Sequence, residues 1–314
     1  MKDSKIEWTH HTFNPWIGCT RVSPGCVNCY AETMMDKRWG KVEWGPQGQR
    51  IRTSDDYWKQ PLKWNREAAA AGERRRVFCA SLADVFENKP DQRQEMDAWR
   101  LSLFDLIYDT PSLDWLILTK RPENVKVMVP WMFHHPDFHG WPSNVWIGTS
   151  VENQEYADKR IPELLKIPAA VRFLSVEPLL GPVDLHFDFI ERDDDGNSIH
   201  WHSQNCPDFC DYACGSQWNG GINWVIVGGE SGPNARPMHP EWVRSIRDQC
   251  QEAGTPFFFK QWGEWVNDYE IGVPGNSAMT YLEKKTLYKV GKKRAGRLLD
   301  GREWNEFPVV KESR

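Results

Sequence analysis

The sequence predicts an α/β protein with a parallel sheet, of the full or partial (β/α) TIM-like barrel type. Three observations predict it: short runs that are apolar on both faces, amphipathic stretches between them, and no Gly-x-Gly-x-x-Gly fingerprint after the first run. Repeated strand–helix–strand alternation is typical of parallel sheets whose faces are covered by helices. The missing fingerprint disfavours the doubly wound, dinucleotide-binding alternative.

Seven apolar runs have the length of buried strands. The first is weakened by Asn14-Pro15, because proline cannot donate to a strand ladder. The predicted strands cover residues 12–18, 77–81, 115–119, 145–150, 171–176, 224–228 and 257–260.

Four amphipathic stretches between these runs predict helices. Pro122 and Pro240 suit first helical turns, and Gly254 suits a C-terminal cap. The predicted helices cover residues 91–109, 122–134, 154–167 and 240–253.

Two segments fall outside the alternation. Residues 184–211 carry eight acidic side chains against one arginine and lead into a cysteine cluster, which predicts an insertion at 184–222. Residues 281–302 hold eight Lys or Arg against two acids, in a chain of formal net charge −5. We therefore expect a barrel at 1–266 that contains the insertion, and a basic C-terminal extension at 267–314.

Composition excludes several classes of protein. A 40% share of hydrophobic and 26% of charged residues permits a packed core and excludes wholesale disorder. No apolar run approaches the ~18 residues that span a bilayer, and the first residues lack the apolar centre of a signal peptide. We expect a cytoplasmic protein without membrane contact.

Polar residues at the carboxyl ends of the predicted strands predict a pocket, because ligands of parallel α/β folds bind at that edge. Glu152, Glu177 and Glu230 follow three consecutive strands. We expect them to converge on one pocket with Lys120 and Lys260. The alternative is that each glutamate is a helix N-terminal acid favoured by the helix dipole.

Cys19, Cys26 and Cys29 form the first of two cysteine clusters, directly after the first strand. In a cytosolic protein such clusters are more often metal ligands or catalytic thiols than disulfides. With His10 or His11 they suit a tetrahedral zinc site, and alone they suit an iron–sulfur cubane with one free iron position. Their place at the top of the first strand favours a metal at an active-site mouth over a structural zinc.

Cys206, Cys210 and Cys214 form the second cluster, with His200 and His202 just before it. This composition suits a Cys3His zinc site or a second iron–sulfur cluster. A metal would help to order an acidic segment that has too few apolar residues to order itself. The alternative is an exposed insertion with incidental thiols.

The other two cysteines, Cys79 and Cys250, are expected to be small buried hydrophobes. Most of the 18 tryptophans are expected in the core. Trp16 and Trp262 are the best candidates for stacking on an adenine or a substrate base.

Eight short stretches carry a resemblance to a known family. They are residues 12–20, 26–31, 118–123, 148–153, 175–182, 227–232, 236–240 and 259–264. In this order they resemble a phage- and bacterium-associated family of radical-S-adenosylmethionine-like, three-cysteine proteins, a domain of unknown function whose reaction is undefined.

The resemblance implies a barrel of the radical-S-adenosylmethionine type and a [4Fe–4S] cluster on Cys19, Cys26 and Cys29, with S-adenosylmethionine on the free iron. It implies an electron donor such as a flavodoxin or ferredoxin, reductive cleavage of S-adenosylmethionine, and radical chemistry on a substrate for which a nucleic acid or nucleotide is one candidate. No residue is assigned as catalytic. The residues assigned to cofactor contact by strand position are Asp84, Lys120, Ser150, Glu152, Glu177, Gly228, Gly229, Glu230 and Lys260.

The cysteine loop departs from the commonest pattern of that superfamily in two ways. The spacing is six and then two residues rather than three and then two. An aromatic residue usually precedes the last cysteine, whereas here Asn28 precedes it and Tyr30 follows it.

Two other functions stay open at this point. One is a non-catalytic nucleic-acid-binding protein stabilised by zinc at both clusters, and the other is a plain electron-transfer protein. Residues 284–302, with Tyr281 and Tyr288 among their cations, would contact phosphates and bases in a nucleic-acid-binding protein. The alternative for this segment is a solvated surface hairpin whose charges offset the acidic insertion.

Overall fold

The computed structural model describes residues 4–130, 141–185, 190–192, 198–201, 221–267 and 278–309 of the 314-residue chain. The chain forms two compact units, residues 1–149 and 150–314. Within the described ranges, no helix is both long enough and apolar enough to cross a membrane.

The first unit is built on a parallel sheet. Its strands are β1 (His11–Thr12), β2 (Trp16–Ile17), β3 (Ile51–Arg52), β4 (Arg75–Cys79), β5 (Leu113–Thr119) and β6 (Val145–Ser150). β1, β4, β5 and β6 pair in that order and run parallel, whereas β2 and β3 form an antiparallel pair.

Helices and turns connect these strands. The helices are α1 (Tyr30–Glu32), which continues as a π-helix over Thr33–Arg38, α2 (Asp55–Trp58), α3 (Gln60–Ala71), α4 (Arg93–Tyr108) and α5 (Val125–Met128). Turns of 3-10 helix cover Pro24–Cys26, Pro90–Gln92 and Pro122–Asn124.

Aromatic side chains fill the space between the sheet and the helices of this unit. The Phe13 ring stacks on Tyr57 at 5.1 Å between centroids and meets Trp115 edge-on at 5.5 Å. Phe13 and Trp115 are fully buried. Such offset and edge-on pairs add about 0.5–1.5 kcal/mol each to the burial of the rings.

The first predicted strand is interrupted. Instead of one strand over residues 12–18, the chain forms β1 and β2, separated at Asn14-Pro15. The Asn14 side chain accepts a hydrogen bond from the Leu82 N–H at 2.7 Å, so it joins the turn to the loop that follows β4.

The predicted helix at 122–134 is shorter than expected. A 3-10 turn over Pro122–Asn124 leads into the four residues of α5, which ends at Met128. Val129 precedes Pro130, and a residue before proline is disfavoured in the helical conformation. Residues 131–134 lie outside the described part of the chain.

The second unit contains a parallel sheet and two antiparallel groups. Its strands are β7 (Val171–Val176), β8 (Ile190–Arg192), β9 (Ser198–Trp201), β10 (Trp224–Gly228), β11 (Phe257–Gln261), β12 (Trp265–Asn267), β13 (Ala278–Leu282) and β14 (Lys285–Lys289). β7, β10 and β11 pair in parallel, β12, β14 and β13 form an antiparallel sheet in that order, and β8 pairs with β9.

The helices of this unit are α6 (Gln154–Leu165), α7 (Pro240–Ala253) and α8 (Lys292–Ala295). α7 begins and ends where the sequence predicts. Pro240 occupies its first turn, the His239 ring nitrogen Nδ1 accepts the Glu241 N–H at 3.1 Å, and Gly254 caps its end with a φ of 66°.

The predicted α/β class with parallel strands joined by helices is confirmed. Seven described strands run parallel, four in the first unit and three in the second. The described residues do not form a closed barrel. The predicted boundaries at 184, 222 and 266 remain predictions.

Two segments of the second unit approach each other too closely for a side chain between them. The Gly229 N–H donates to the Gln261 carbonyl at 2.9 Å. A Cβ atom on Gly229 would lie 1.9 Å from the Trp262 carbonyl oxygen, and one on Gly263 would lie 2.2 Å from the Glu230 carbonyl oxygen. Glycine is therefore required at both positions by the protein's own backbone.

We predict that Gly229→Ala lowers the free energy of unfolding by more than about 2 kcal/mol, because the backbone must move to relieve the overlap. The matched control is Gly181→Ala, whose Cβ atom would meet Asn153 at an ordinary 3.6 Å. Urea unfolding followed by circular dichroism measures both. Equal midpoints for the two variants would contradict the close approach.

Candidate functional site

The cysteine loop, residues 19–29, begins at the carboxyl edge of the parallel sheet of the first unit. Gly18, which precedes it, forms a parallel bridge with Ala83, just past the end of β4. The Gly18 N–H donates to the Leu82 carbonyl at 3.0 Å. Gly18 has a φ of 112°, and a Cβ atom there would lie 2.9 Å from Arg50 Cδ.

Ion pairs and one tyrosine hold the loop against the helix that follows it. Arg21 donates twice to the Glu32 carboxylate, at 2.8 and 2.6 Å, and Lys37 pairs with the same group at 3.2 Å. The Tyr30 hydroxyl donates to the Ser81 carbonyl at 2.9 Å, which ties α1 to the end of β4.

All three cysteines of the loop are half-buried free thiols. Cys26 closes a 3-10 turn, with its sulfur 3.7 Å from the Ser23 hydroxyl, and Cys29 directly precedes α1. Across the described ranges, no group of three or more His, Cys, Asp or Glu side chains is positioned to hold a metal ion. The three predicted ligands thus share one loop without forming a preassembled ligand group.

A buried arginine connects the cysteine loop to the strand ends. Arg121 Nη1 donates to Asp84 Oδ2 at 2.9 Å and lies 3.7 Å from the Cys19 sulfur. Arg121 Nη2 donates to the Thr20 carbonyl at 2.7 Å. Asp84 follows β4 and Arg121 follows β5, so this pair joins two strand ends to the start of the loop.

Asp84 is saturated by hydrogen bonds from its neighbours. Its Oδ1 accepts from the Thr119 hydroxyl at 2.7 Å and from the Phe86 N–H at 3.0 Å. Its Oδ2 accepts from the Lys120 N–H at 3.0 Å as well as from Arg121. Asp84 therefore orients Arg121, and it has little capacity left for the cofactor contact that strand position predicts.

A second buried ion pair supports the first. Arg50 donates to both oxygens of Glu87 at 2.7 Å, and the Arg50 guanidinium also donates to the Thr20 hydroxyl at 2.7 Å. Arg121 lies 3.6 Å from the Glu87 carboxylate. We call Asp84, Glu87, Arg50 and Arg121 the Arg121 network: it buries two cations with two carboxylates beside Cys19.

Burial raises the pKa of the Cys19 thiol to about 12, and the Glu87 carboxylate adds to that rise, whereas the Arg121 guanidinium lowers the pKa. Burial also raises the pKa of Cys29, which is lowered in turn by neighbouring backbone N–H groups and by the Lys120 ammonium. Lys120 thus acts electrostatically on the cysteine loop.

Burial alone would raise the pKa of Asp84, but the Arg121 cation and the hydrogen bonds from neighbouring groups outweigh it and lower the pKa. Burial alone would lower the pKa of Arg121, but the Asp84 carboxylate outweighs it and raises the pKa. Both groups are therefore charged at neutral pH.

The donor chemistry of the cysteine loop fits a thiolate-bound metal centre. Metal ligation requires deprotonated sulfur. Burial raises the pKa of the Cys19 and Cys29 thiols, and the Arg121 and Lys120 cations offset part of that rise, whereas none of the three sulfurs is held in a disulfide.

The histidines considered as a fourth zinc ligand are engaged in the fold. The His10 ring nitrogen Nδ1 accepts the Arg76 N–H at 2.9 Å. The His11 ring, 1% exposed, stacks on Trp64 at 4.5 Å. Neither belongs to a described metal-ligating group with the cysteines.

In the second unit, Glu177 and Lys260 form an ion pair. The Lys260 ammonium contacts both Glu177 oxygens, at 2.8 and 2.9 Å. The Gln261 amide nitrogen lies 3.3 Å from Glu177 and donates to the Ser231 hydroxyl at 2.9 Å. The buried Gln261 Oε1 has no hydrogen-bond partner among the described residues. We call Glu177, Lys260, Gln261 and Ser231 the Glu177 cluster.

The other two glutamates have arginine partners of their own. Glu152 is fully buried and accepts from Arg160 at 2.8 Å. Glu230 accepts from the Arg236 guanidinium at 2.6 and 2.9 Å. The carbonyl of Ser150 accepts from Arg160 at 2.8 Å. Convergence of the three glutamates with both lysines on one pocket remains a prediction.

Gly228 and Gly229, which strand position assigns to cofactor contact, both lie close to other parts of the chain. Close approach at Gly229 is to the Trp262 backbone, as described above, and a Cβ atom on Gly228 would lie 3.3 Å from Glu177 Cδ. The stacking candidates Trp16 and Trp262 are core residues, at 0% and 1% exposure. Ligand stacking on either ring is therefore incompatible with this packing.

The second cysteine cluster is outside the described residues. Cys206, Cys210, Cys214 and His202 fall in undescribed segments, and only the backbone of His200 is described, in β9. A second metal site on these residues remains a prediction.

Sequence reasoning missed four residues that matter here. Arg50 and Glu87 lie in irregular segments with no pattern that marks them as partners of the cysteine loop. Gln261 directly follows Lys260, and the strand-end rule that selected the lysine could have selected it. Arg160 lies eight residues after Glu152, and only the fold brings the two together.

Comparison with known proteins identifies the family of the chain. The chain belongs to the family described as "Protein of unknown function (DUF5131)", whose model matches residues 3–308. The expected membership of a domain family of unknown function is confirmed. Comparison with curated proteins finds no match.

Two solved structures match the chain, both mutants of spore photoproduct lyase. Each is 13% identical in sequence, with coverage of 93% of this chain and 71% of the other. The TM-scores are 0.43 and 0.42.

We predict that Asp84→Asn destabilises the protein by about 3 kcal/mol at neutral pH, because the buried Arg121 cation loses its carboxylate partner. The lowered pKa of Asp84 means that its contribution is complete above its unfolded-state pKa of about 3.9 and is lost as the pH falls through the folded-state value. The difference between wild type and variant should therefore shrink below about pH 4.

Urea unfolding at a series of pH values measures this difference. Asp56→Asn is the matched control, because Asp56 pairs with Lys59 on the surface and its side chain is 93% exposed. We expect no measurable change for the control. A difference for Asp84→Asn that is constant from neutral to acid pH would disprove the role of its charge.

Proposed function

We propose that this member of the family is an iron–sulfur enzyme of the radical S-adenosylmethionine type. The observation that carries the proposal is the cysteine loop. Three free, half-buried cysteines lie within eleven residues at the carboxyl edge of parallel strands, and the sulfur of Cys19 lies 3.7 Å from the buried Arg121 guanidinium. The ordered sequence resemblance along the chain supports the same assignment.

Cys19, Cys26 and Cys29 would hold a [4Fe–4S] cluster and leave one iron position free for S-adenosylmethionine. The chemistry supplied there is the one-electron cleavage of S-adenosylmethionine to methionine and a deoxyadenosyl radical, which takes a hydrogen atom from the substrate, with the electron drawn from a flavodoxin- or ferredoxin-type donor.

The residues of this chain have separate roles in the first unit. Arg121 offsets the negative charge of the thiolates and donates an N–H toward the Cys19 sulfur. Asp84 and Glu87 hold Arg121 in place without touching the sulfurs in the described structure. Hydrogen bonds and charge next to cluster sulfurs influence the reduction potential.

In the second unit, we assign the Glu177 cluster to a polar small molecule, and S-adenosylmethionine is the one that the sequence resemblance implies. Glu177 and Lys260 are partly exposed, at 21% and 15% of their side chains. The Gln261 Oε1 is an acceptor that an ammonium or hydroxyl group of the ligand would satisfy. Glu152 and Glu230 are paired with Arg160 and Arg236 of the same unit.

The second cysteine cluster is proposed as a further metal site on Cys206, Cys210 and Cys214 with His200 or His202. Zinc and a second iron–sulfur cluster are both compatible with that set of side chains.

The deciding experiment is anaerobic reconstitution followed by reduction with dithionite in the presence of S-adenosylmethionine. We expect a brown protein with about four irons at the first cluster and the formation of 5′-deoxyadenosine and methionine. A brown protein that forms no deoxyadenosine would identify an electron-transfer protein. A colourless zinc protein would exclude both the radical enzyme and the electron-transfer protein.

Replacement of Cys19, Cys26 or Cys29 by Ala should remove this iron and all deoxyadenosine formation. Cys250→Ala is the matched control, because Cys250 is a fully buried thiol of α7. Should Cys26→Ala keep the iron content of the wild type, the cluster is held elsewhere.

We predict that Lys260→Met weakens S-adenosylmethionine binding about tenfold, because a charged donor of the Glu177 cluster is lost. Equilibrium dialysis of the reconstituted protein measures the dissociation constant. Lys159→Met is the control, because this lysine pairs with Glu155 on the surface of α6 at 61% exposure. The same affinity for both variants would remove Lys260 from the binding site.

A further inference from the structure

The basic C-terminal segment is not neutralised by its own acids. Glu283 accepts a hydrogen bond from the Trp242 indole N–H at 3.1 Å. Asp300 pairs with Arg244, at 2.7 Å, and with Arg247. Both acidic side chains of residues 281–302 therefore contact side chains of α7 rather than cations of their own segment, which keeps a formal surplus of six positive charges.

Three of the eight cations of the segment fasten it to the fold. Lys289 donates to the Pro233 carbonyl, and Arg297 donates to the Phe259 carbonyl at 3.3 Å. Arg302 lies over the Trp304 ring, 3.3 Å from its centroid. These cations are committed to internal contacts.

The other five cations are exposed and make no ion pair with any carboxylate in the part of the chain that the structure describes. We call them the basic surface: Lys284, Lys285, Lys292, Lys293 and Arg294.

The backbone beneath part of the basic surface is fixed. The N–H groups of Val290 and Gly291 both donate to the Glu264 carbonyl, at 2.9 and 3.2 Å, so the start of α8 is anchored to the turn before β12. The segment from Val290 to Arg294 lines a shallow, open depression. Three cations therefore surround a concave patch whose backbone is already ordered.

An exposed aromatic ring lies near the other two cations of the basic surface, at the opposite end of β14. Tyr281 lies on β13, an edge strand of its three-stranded sheet among the described residues, and the residue is 70% exposed. Lys284 and Lys285 follow within four residues, at the turn into β14. A tyrosine ring can stack on any unpaired base with little preference for its identity, whereas the paired bases inside a duplex have no free ring face. The exposed ring therefore favours a single strand.

We propose that the basic surface and Tyr281 bind single-stranded nucleic acid, with the cations on phosphates and the tyrosine on one base. The proposal rests on charge, exposure and strand position, and it is independent of the iron–sulfur reaction proposed above. It adds a binding function to the C-terminal segment whatever chemistry the cysteine loop supports.

The test is fluorescence anisotropy of the full-length protein with labelled oligo-dT and oligo-U of about 20 nucleotides, at increasing salt. Neutralising five phosphates on a single strand predicts a log–log salt slope of roughly −3.5. The triple substitution Lys292→Ala, Lys293→Ala and Arg294→Ala should weaken binding and flatten the slope by about 2.

Two further variants separate charge from stacking. Tyr281→Ala should weaken binding about tenfold and leave the salt slope unchanged. Lys284→Ala with Lys285→Ala should flatten the slope by about 1.4, and this double variant keeps the proposal testable if the triple variant does not fold. The charge-matched control replaces Lys59, Lys63 and Lys166, all exposed and outside the segment, and should bind as wild type does.

Four results would overturn the proposal. The first is that no oligonucleotide binds at low salt, and the second is that the control and the triple variant lose the same amount of affinity. The third is that a duplex of the same length binds as tightly as the single strand. The fourth is that anionic phosphatidylserine vesicles bind more strongly than the oligonucleotides. This test is independent of the iron–sulfur enzyme proposal, because the Cys26→Ala variant should lose the cluster but bind the oligonucleotides as wild type does.

Discussion

The buried guanidinium of Arg121 is the group on which the arrangement of the first unit depends. A cation removed from water is costly unless carboxylates and hydrogen bonds compensate it. Here Asp84 and Glu87 supply the charge, and the Thr20 carbonyl supplies a further acceptor. Asp84 and Glu87 follow β4, and Thr20 lies at the start of the cysteine loop. The contacts that compensate the Arg121 guanidinium therefore fix the strand ends and the loop relative to each other. The position of the Cys19 sulfur is a consequence of that compensation.

In the second unit, buried charges are compensated by separate ion pairs. Glu152 and Glu230 each have an arginine from the same unit, and both carboxylates are buried. The Glu177–Lys260 pair differs, because its carboxylate keeps 21% exposure and the neighbouring amide oxygen of Gln261 lacks a described partner. Fully compensated pairs are typical of structural roles, whereas a partly exposed pair beside an unsatisfied acceptor has capacity for a ligand. This contrast separates one glutamate from the other two more sharply than strand position does.

The sequence predicts the regular part of the fold well and the charged contacts poorly. Strands such as β5 and β10 are apolar on both faces, so a short pattern is sufficient to locate them. The interruption at Asn14-Pro15 was visible as a weakness, but the hydrogen bond from Leu82 that stabilises it joins residues 68 positions apart. The same limit applies to Arg50 and Glu87, since nothing local in a sequence marks which distant charges will be buried together. The metal-ligating character of the cysteine loop can be predicted from its residue types. The contact of Arg121 with Cys19 cannot, because it depends on how the end of β5 is placed in the fold.

The close approach of the backbones at Gly229 and Gly263 has a consequence for how this protein can be diversified. Each glycine leaves room for a backbone carbonyl of the opposite loop, so neither loop can take a side chain at this point unless the other loop moves. A directed-evolution library that randomises one loop alone would return glycine at its shared position, however strong the selection for new specificity. Substitutions are therefore expected to be tolerated at flanking side chains such as Ser231, whereas Gly229 and Gly263 can change only together with the backbone opposite them.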